Sequence, residues 1–377
     1  MNILHVIIGL EAGGAEHVLR RLVESHRDHR DIRHSIVSLT EYGELGEQLR
    51  ADGLEVRALG MRSLIGAPWA ALRLSRIMRE RRPDIVQTWM YHADLMGGLA
   101  ARAVGIKNII WGIRSADMIK GTAYSTFLIR RICALLSPWL PARIICAAEA
   151  ARAAHQAIGY DASKMTVIPN GFDVPAVEIS TQPSQILRSQ WGWNNDEFVI
   201  GCVGRFNYYK DHANFVEAAG NLAASHPTAR FLMIGKGLDS ANDELLAMIS
   251  RTGFADRFRL LGLRTDISDC LAAMDAFCLS SRSEGFPNVV GEAMSIGIPV
   301  VSTDVGDVRI LMADTGIIVP KENAAALSAA LSKVMAMSPD ARRVSGLAGR
   351  QRIVLEFSMT RTRERFESVY ASLLCAE

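Results

Sequence analysis

Two glutamates stand eight residues apart in the stretch SRSEGFPNVVGEAMSIGIPVV, residues 281–301. The run DAFCLS before it is typical of a buried strand, and a helix is expected from Pro287 to Gly297. Glu284 then lies in the loop at the carboxyl end of the strand, where its carboxylate can accept hydrogen bonds from sugar hydroxyls. Glu292 falls in the early helical turns, where it can hold a ribose diol.

The start of this helix adds a second binding capability. The N–H groups of Asn288 and Val289 have no carbonyl partner within a helix, and the dipole places partial positive charge there. An anion is therefore favoured at this position. The segment could bind a sugar, a phosphate and a ribose together. The alternative is one surface glutamate and one that complements the helix dipole.

Two cations leave the end of another apolar run in GRFNYYKDHANF, residues 204–215. Arg205 and Lys210 precede a helix that is expected from about Asp211. The fork of an arginine and the point charge of a lysine both suit a diphosphate. A solvated loop is the alternative interpretation.

A glycine-rich turn, GLEAGGAE, follows the first apolar run of the chain and opens its first helix. Gly13 and Gly14 allow a close backbone approach, and the helix start favours a phosphate. The stretch is neither GxGxxG nor a GxxxxGK[ST] loop, which weakens the dinucleotide and P-loop interpretations. A plain tight turn is equally compatible with it.

Three further polar residues follow strands in the first half of the chain. His92 is expected in the loop after DIVQTWM, with Asp94 beginning the next helix. Arg114 ends the strand of WGIRSAD, where it could contact an anionic acceptor or pair with Asp117. His92 could likewise serve a ligand or the structure, and Asp94 is a second candidate for contact with the acceptor.

Short β-rich apolar runs alternate with longer helical patterns along the chain, which predicts an α/β protein with parallel, doubly wound sheets. A chain of 377 residues should form two domains. The periodicity lapses in the Pro- and Ser-rich stretch after Phe172. The predicted organisation is therefore a first domain at 1–175, a linker at 176–195, a second domain at 196–355 and a terminal helix at 356–377.

Composition excludes several classes of protein. Residues 1–173 carry 22 Lys and Arg against 17 Asp and Glu, so the first half is basic and suits an anionic partner. Basic patches interleaved with aromatic residues are missing, which argues against nucleic acid. Six cysteines without CxxC spacing indicate free thiols in a reducing cytosol. Neither GxSxG, HExxH nor an Asp-x-Asp pair is found, so no metal or other cofactor is expected.

The segment STFLIRRICALLSPWLPARII, residues 125–145, mixes aromatic, apolar and arginine side chains. Such a helix could lie in the interface of an anionic membrane, giving peripheral attachment. A helix packed inside the first domain explains the pattern equally well. No apolar run is long enough to span a bilayer.

Six stretches in order resemble the retaining family-4 glycosyltransferases of the GT-B fold, relatives of glycogen synthase and sucrose synthase. They span residues 9–307 and are GGAE, QTWMYHAD, VIPNGFD, GRFNYYKD, LLG and SEGFPNVVGEAMSIGIPVVSTDVGD. The resemblance implies two Rossmann-like domains facing across a cleft, with a terminal helix that crosses back to the first domain.

The resemblance also implies a role for each matching residue. Gly13 and Gly14 would let the acceptor domain close on the donor diphosphate, and Arg205 with Lys210 would neutralise it. His92 corresponds to the family's active-site histidine. The remaining donor contacts would be Leu263 at the base, Glu284, Gly285, Phe286 and Pro287 at the sugar, Asn288 and Val289 at the distal phosphate, and Glu292 at the ribose.

The implied reaction is retaining transfer of a sugar, as in a hexosyltransferase, from a nucleotide-diphosphate donor to a glycan or polyprenyl-linked glycan. UDP-sugar is favoured by frequency in the family, and the setting would be polysaccharide or lipopolysaccharide synthesis at the inner face of the plasma membrane. Two alternatives remain: a nucleotide-sugar epimerase, and a non-catalytic module that binds sugar nucleotides. The first would need carboxylates on both sides of the sugar, and the second would bind donor without turnover.

Overall fold

The computed structural model divides the chain into two compact units. One comprises Met1–Gly171 together with Met359–Glu377, and the other is Phe172–Ser358. The structure describes residues 1–11, 13–29, 31–115, 124–175, 181–194 and 196–375.

The first unit is built on a parallel sheet that has seven strands among the described residues. The strand order is β3-β2-β1-β4-β5-β6-β7, and β1 lies between β2 and β4. Its central strands are buried throughout, as a sheet covered on both faces requires. The strands are β1 (Asn2–Ile7), β2 (Arg33–Ser38), β3 (Glu55–Ala58), β4 (Ile85–Trp89), β5 (Ile109–Ile113), β6 (Arg143–Cys146) and β7 (Met165–Val167).

Helices cover this sheet and return the chain between parallel strands. The terminal helix of the chain packs on the first helix, and the third, fourth and fifth helices pack side by side. The helices are α1 (Gly14–Ser25), α2 (Gly43–Ala51), α3 (Ala67–Arg81), α4 (Tyr91–Ala103), α5 (Tyr124–Leu136), α6 (Glu149–Gln156) and, at the end of the chain, α15 (Met359–Leu374).

The second unit repeats the architecture with a parallel sheet that has six strands among the described residues. The order is β10-β9-β8-β11-β12-β13, so β8 lies between β9 and β11. The strands are β8 (Phe198–Val203), β9 (Ala229–Ile234), β10 (Phe258–Leu260), β11 (Ala276–Leu279), β12 (Val300–Thr303) and β13 (Ile317–Val319).

The helices of the second unit pack around an apolar core that includes Phe215, Phe231 and Leu327. A π-helical segment, Ile353–Phe357, ends the unit. The helices are α7 (Thr181–Gln190), α8 (His212–Ser225), α9 (Asp243–Arg251), α10 (Ile267–Ala272), α11 (Asn288–Ser295), α12 (Val308–Met312), α13 (Ala324–Ala336) and α14 (Pro339–Arg352).

Both strand orders create a point where successive connections turn to opposite sides of the sheet. In the first unit this point lies between β1 and β4, and in the second between β8 and β11. Ligands of open α/β sheets bind beyond the carboxyl ends of the strands at such points. The polar motifs follow these four strands, so each sheet positions its candidate residues where ligands are expected.

The predicted α/β class and doubly wound sheets are confirmed, but the structure contains elements that the sequence did not indicate. β3 and α3 were not predicted. Helix α7 lies within the predicted linker at 176–195, of which residues 176–180 and 195 lie outside the described residues. Arg188 on α7 donates to the Ala273 carbonyl (2.9 Å) and pairs with Asp275 (2.8 Å), so this helix packs on the second unit.

All six cysteines are free, and only Cys375 is exposed. Within the described ranges, no helix is both long and apolar enough to cross a bilayer.

Candidate active site

An ion pair joins the two main motifs of the second unit. Lys210 Nζ lies 2.7 Å from Glu284 Oε1, and the hydroxyl of Ser281 donates to the same oxygen at 2.6 Å. The Lys210 and Glu284 side chains are only 22% and 13% exposed, so the pair is partly shielded from water. It lies where the segments after β8 and β11 approach each other.

The loop that carries Lys210 is held in shape by local hydrogen bonds. Asn207 Oδ1 accepts from the Lys210 N–H (3.0 Å), and Ser280 Oγ donates to the Lys210 carbonyl (2.9 Å). Asp211 has a left-handed backbone with φ of 47° and caps α8 by accepting from the Asn214 N–H at 3.4 Å. Capping fixes the end of the loop and therefore the direction in which Lys210 leaves it.

Arg205, the other predicted cation, is exposed in the segment after β8. Its guanidinium has no hydrogen-bond or ion-pair partner within the part of the chain that the structure describes. Lys210 is therefore neutralised by a carboxylate, whereas Arg205 presents an uncompensated positive charge to solvent.

Helix α11 begins at Asn288, directly after Pro287, so the proline precedes the first turn and does not lie in it as predicted. The side chain of Phe286 is buried and stacks on Phe172, with ring centroids 6.1 Å apart. A Cβ atom at Gly291 would overlap the Phe172 ring, so the glycine lets the helix pack closely. These aromatic contacts fix the position of the helix start, with its first-turn N–H groups at Asn288 and Val289.

A turn after β12 supports the loop of Glu284 from behind. Gly306 has φ of 52°, and a Cβ atom there would overlap the carbonyl oxygens of Glu284 and Gly285. The N–H of the buried Asp307 donates to the Gly285 carbonyl at 3.0 Å. Glycine is thus required at 306 both by backbone conformation and by close approach.

Two further residues are predicted to contact the donor, Leu263 and Glu292. Leu263 is 77% exposed and follows Gly262, whose N–H donates to the Leu238 carbonyl at 2.8 Å. Glu292 is half-buried in the second turn of α11. A free leucine side chain after β10 is able to contact a flat apolar group.

In the first unit, Gly13 is the extended N-cap of α1 and Gly14 its first residue. The carboxylate of Glu16 in the same turn lies close to the position that a Cβ atom of residue 13 would take, so this side chain would have to move if residue 13 were larger. Burial raises the pKa of Glu16 above its usual value. Ala12 lies outside the described residues.

His92 lies in the first turn of α4, and the prediction that it occupies a loop is wrong. The helix starts early because Met90 turns the chain with φ of 71° and its N–H donates to the Gly112 carbonyl at 2.9 Å. This left-handed conformation is unfavourable for methionine and places strain beside the histidine. His92 is half-buried, and burial lowers its pKa.

Asp94 is fully buried, which corrects the expectation that it meets an acceptor. Its Oδ1 accepts from the Thr88 hydroxyl at 2.5 Å and from the Gly112 N–H at 3.3 Å. Burial raises the pKa of this carboxyl to about 7. Asp94 therefore braces the end of β4 against β5 from inside the unit.

Arg114 is half-buried and is held by contacts within the first unit. One guanidinium N–H donates to Asn170 Oδ1 (3.0 Å), and the guanidinium stacks over the Trp89 ring at 4.6 Å. Burial lowers its pKa to about 10. Asp117, its alternative predicted partner, lies outside the described residues.

Sequence reasoning missed Arg282, which binds the two motif segments together. Its backbone N–H donates to the Tyr209 carbonyl (2.7 Å), and its guanidinium pairs with the buried Asp211 (2.9 Å) and with Glu322 (3.0 Å). It also lies over the Tyr208 ring, 4.4 Å from the centroid. No sequence signal marks this role, because the partners are far from Arg282 in the chain.

Among the described residues, no three His, Cys, Asp or Glu side chains are grouped as they would be around a metal ion.

Two family models match consecutive parts of the chain. The model described as Glycosyltransferase Family 4 matches residues 12–175, and the model described as Glycosyl transferases group 1 matches residues 197–337. The chain belongs to the group 1, family 4 glycosyltransferases. This confirms the family that the sequence resembles.

Curated relatives of this glycosyltransferase include two bacterial enzymes. A UDP-Gal:alpha-D-GlcNAc-diphosphoundecaprenol alpha-1,3-galactosyltransferase of Escherichia coli is 26% identical over 246 residues, which are 64% of this chain and 63% of that protein. The lipopolysaccharide core biosynthesis mannosyltransferase LpsB of Rhizobium meliloti is 26% identical over 84% of this chain and 91% of its own length.

Solved structures share the fold over nearly the whole chain. Anabaena HepE in complex with UDP aligns with a TM-score of 0.86 at 22% identity, covering 99% of this glycosyltransferase and all of HepE. A sucrose-phosphate synthase from Thermosynechococcus elongatus aligns with a TM-score of 0.80 at 16% identity, covering all of both chains. The predicted GT-B class, with two Rossmann-like units, is confirmed.

Proposed function

We propose that this glycosyltransferase moves a sugar from a UDP-sugar to a hydroxyl of a glycan or polyprenyl-linked glycan, with retention of configuration. The names of the curated relatives support the acceptor class, since one acts on a diphosphoundecaprenol-linked sugar and another in lipopolysaccharide core synthesis. The UDP complex of HepE supports the choice of nucleotide.

The observation that carries the proposal is the difference in ion-pair partners between the two cations that follow β8. Arg205 has no partner among the residues that the structure describes, and Lys210 is held by Glu284 2.7 Å away. On donor binding, Lys210 would exchange this carboxylate for the diphosphate. Glu284, relieved of the ammonium, would accept hydrogen bonds from the sugar hydroxyls.

The remaining donor contacts would come from the start of α11 and from the segment after β10. Asn288 and Val289 would give N–H groups to the distal phosphate, as helix starts do for anions. Leu263 would contact the base, and Glu292 would bind the ribose.

In the transfer step, the bond between the anomeric carbon and the diphosphate oxygen breaks while the acceptor oxygen attacks from the same face. The acceptor's proton passes to the departing phosphate oxygen, so the reaction needs no protein base. Negative charge grows on the diphosphate, and preorganised cations stabilise it most in this transition state. His92 would orient the sugar. It would do so as a neutral imidazole, because burial lowers its pKa.

We propose that this neutralisation is metal-independent. Arg205, Lys210 and the α11 start would supply the positive charge that a divalent ion supplies in other transferases. We propose no cofactor for the reaction beyond the sugar nucleotide itself.

Product analysis tests the proposed function. The full chain is incubated with UDP-hexoses, with and without a synthetic polyprenyl-diphosphate sugar, and products are followed by NMR. A new glycosidic bond with the anomeric configuration of the donor is expected only when acceptor is present. Inverted product would contradict retention, epimerised UDP-sugar without acceptor would indicate an epimerase, and tight binding without turnover would indicate a binding module.

A further inference from the structure

Helix α3 and the turn before it expose a row of apolar side chains. Ile65, Trp69 and Leu72 are spaced four and three residues apart, so they share one side of the helical path, and Trp69 is 73% exposed. Arg76 and Arg79 continue the same row toward the end of α3. Apolar side chains therefore occupy the outward side of α3, where a globular protein usually places polar residues.

Helix α5 exposes a second row of the same kind. Tyr124, Leu128, Arg131 and Leu135 follow one another at helical spacing, and Trp139 just beyond the helix is 71% exposed. The opposite side of α5 is buried, as Cys133 and Ala134 show. Helix α5 therefore packs inside the unit with one side and exposes an apolar row on the other.

Helix α4 joins the two rows. It packs against both α3 and α5, and it exposes Leu99. Arg102 on α4 donates to the carbonyl of Trp139 at 2.7 Å. We call the exposed large apolar side chains of these three helices and their ends the α3–α5 face: Ile65, Trp69, Leu72, Leu99, Tyr124, Phe127, Leu128, Leu135 and Trp139.

The charges around the α3–α5 face have one dominant sign. The three helices contain seven arginines and two acidic residues. Asp94 is buried, and Glu80 is paired with Arg76 at 2.9 Å, so neither adds an uncompensated negative charge. Exposed Arg79 and Arg131 have no carboxylate partner within the described residues.

This combination fits a membrane surface better than solvent or a protein groove. Tryptophan and tyrosine favour the boundary between lipid headgroups and acyl chains, and arginines are attracted to anionic lipids. Nine large exposed apolar side chains on three helices that pack in sequence are more than a monomer usually leaves on its free surface.

We propose that the α3–α5 face binds the surface of a membrane that contains anionic lipids. The apolar row would enter the headgroup region while the arginines contact lipid phosphates. This inference deepens the proposed function and rests on it, because a polyprenyl-linked acceptor would be reached at a membrane.

Vesicle flotation of the full chain tests the proposal without donor or acceptor. Vesicles of phosphatidylcholine alone are compared with vesicles that also contain phosphatidylglycerol, and each is repeated at high salt. Binding is expected only with phosphatidylglycerol and should weaken with salt. The double variant Trp69→Ser/Trp139→Ser should lose on the order of tenfold in partitioning. Arg79→Gln and Arg131→Gln should each lose about fivefold.

The matched control is Val344→Ser/Leu347→Ser, which removes two exposed apolar side chains from α14 of the second unit. It should float as the unmodified chain does. Equal flotation of the Trp69→Ser/Trp139→Ser variant and the unmodified chain would overturn the proposal. The proposal would also be overturned if the unmodified chain were a dimer in analytical ultracentrifugation and only this variant were a monomer. UDP binding by the same variants is measured in parallel, so loss of lipid binding with intact UDP binding separates this inference from the proposed function.

Discussion

Lys210 and Arg205 differ in what surrounds them although both follow β8. Lys210 is held by Glu284 and Ser281, whereas Arg205 has no partner among the described residues. If both neutralise the leaving diphosphate, neither can replace the other, because an ammonium and a guanidinium approach from different positions.

Replacing either cation by alanine should therefore lower kcat/KM by the equivalent of about 2 to 4 kcal/mol, comparable with losing one donor to a developing oxyanion. Steady-state kinetics with the donor varied measures this. Lys333→Ala on α13 and Arg309→Ala on α12 remove exposed cations elsewhere in the second unit and should have little effect. Unchanged turnover in Arg205→Ala or Lys210→Ala would refute the assignment of that residue.

If the loop of Lys210 binds the donor, Arg282 should position that loop through Asp211 and Tyr209. Burial raises the pKa of Asp211, and the Arg282 guanidinium offsets part of this shift. Without the arginine, Asp211 would be a buried carboxylate with no ion-pair partner, so the loop that presents Lys210 should move.

We expect Arg282→Gln to reduce kcat/KM between about 10- and 100-fold, since small displacements of positioning groups have effects of this size. Arg282→Lys should recover part of the loss, because one ion pair with Asp211 can form but the fork cannot. Arg309→Gln, which breaks only the exposed pair with Asp304, is the control. Equal kinetics in the glutamine and lysine variants would argue against a positioning role.

At the scale of elements, the turn between β12 and α12 determines where the Glu284 loop can lie. Gly306→Ala should destabilise the protein by more than about 2 kcal/mol, because the new methyl group meets two backbone carbonyl groups in addition to the left-handed strain. Urea unfolding measures the stability, and the KM for donor should rise in the same variant.

Gly253→Ala is the matched control for this change. Gly253 has φ of 77°, but nothing lies within 4 Å of a Cβ atom placed there. It should cost about 1 kcal/mol from conformation alone. If both variants lose the same stability and bind donor alike, the turn does not support the loop.

Sequence patterns predicted most elements, and the exceptions have physical causes. The central strands of both sheets are buried, so their apolar runs stand out. Strand β3 is only four residues long and half polar, which hides it. Helix α3 exposes Trp69 and Leu72, which blurs its amphipathic period. Helix α7 contains Pro183 and several polar residues, a composition more typical of a linker.

The sequence could indicate which candidate-site residues lie near one another only where those residues are close together in the chain. Glu284 and the start of α11 follow from one strand–loop–helix pattern, and Arg205 with Lys210 from another. Their approach depends on β8 lying beside β11, which only the sheet order gives. Arg282 and the burial of Asp94 depend on distant partners, so no local pattern could indicate them.

At the scale of the whole molecule, two units with the same architecture each place polar motifs at the point where the strand order reverses. The strand order itself explains why residues as distant as 210 and 284 form an ion pair in the second unit. The GT-B class follows from this repetition, and the chemistry follows from the side chains at those strand ends.

Calorimetric titration of UDP into the full chain, in EDTA and again in magnesium, tests the central claim most directly. If Arg205, Lys210 and the α11 start neutralise the diphosphate, UDP should bind with the same Kd in both conditions. Binding that requires magnesium or manganese, or that is absent altogether, would contradict the account.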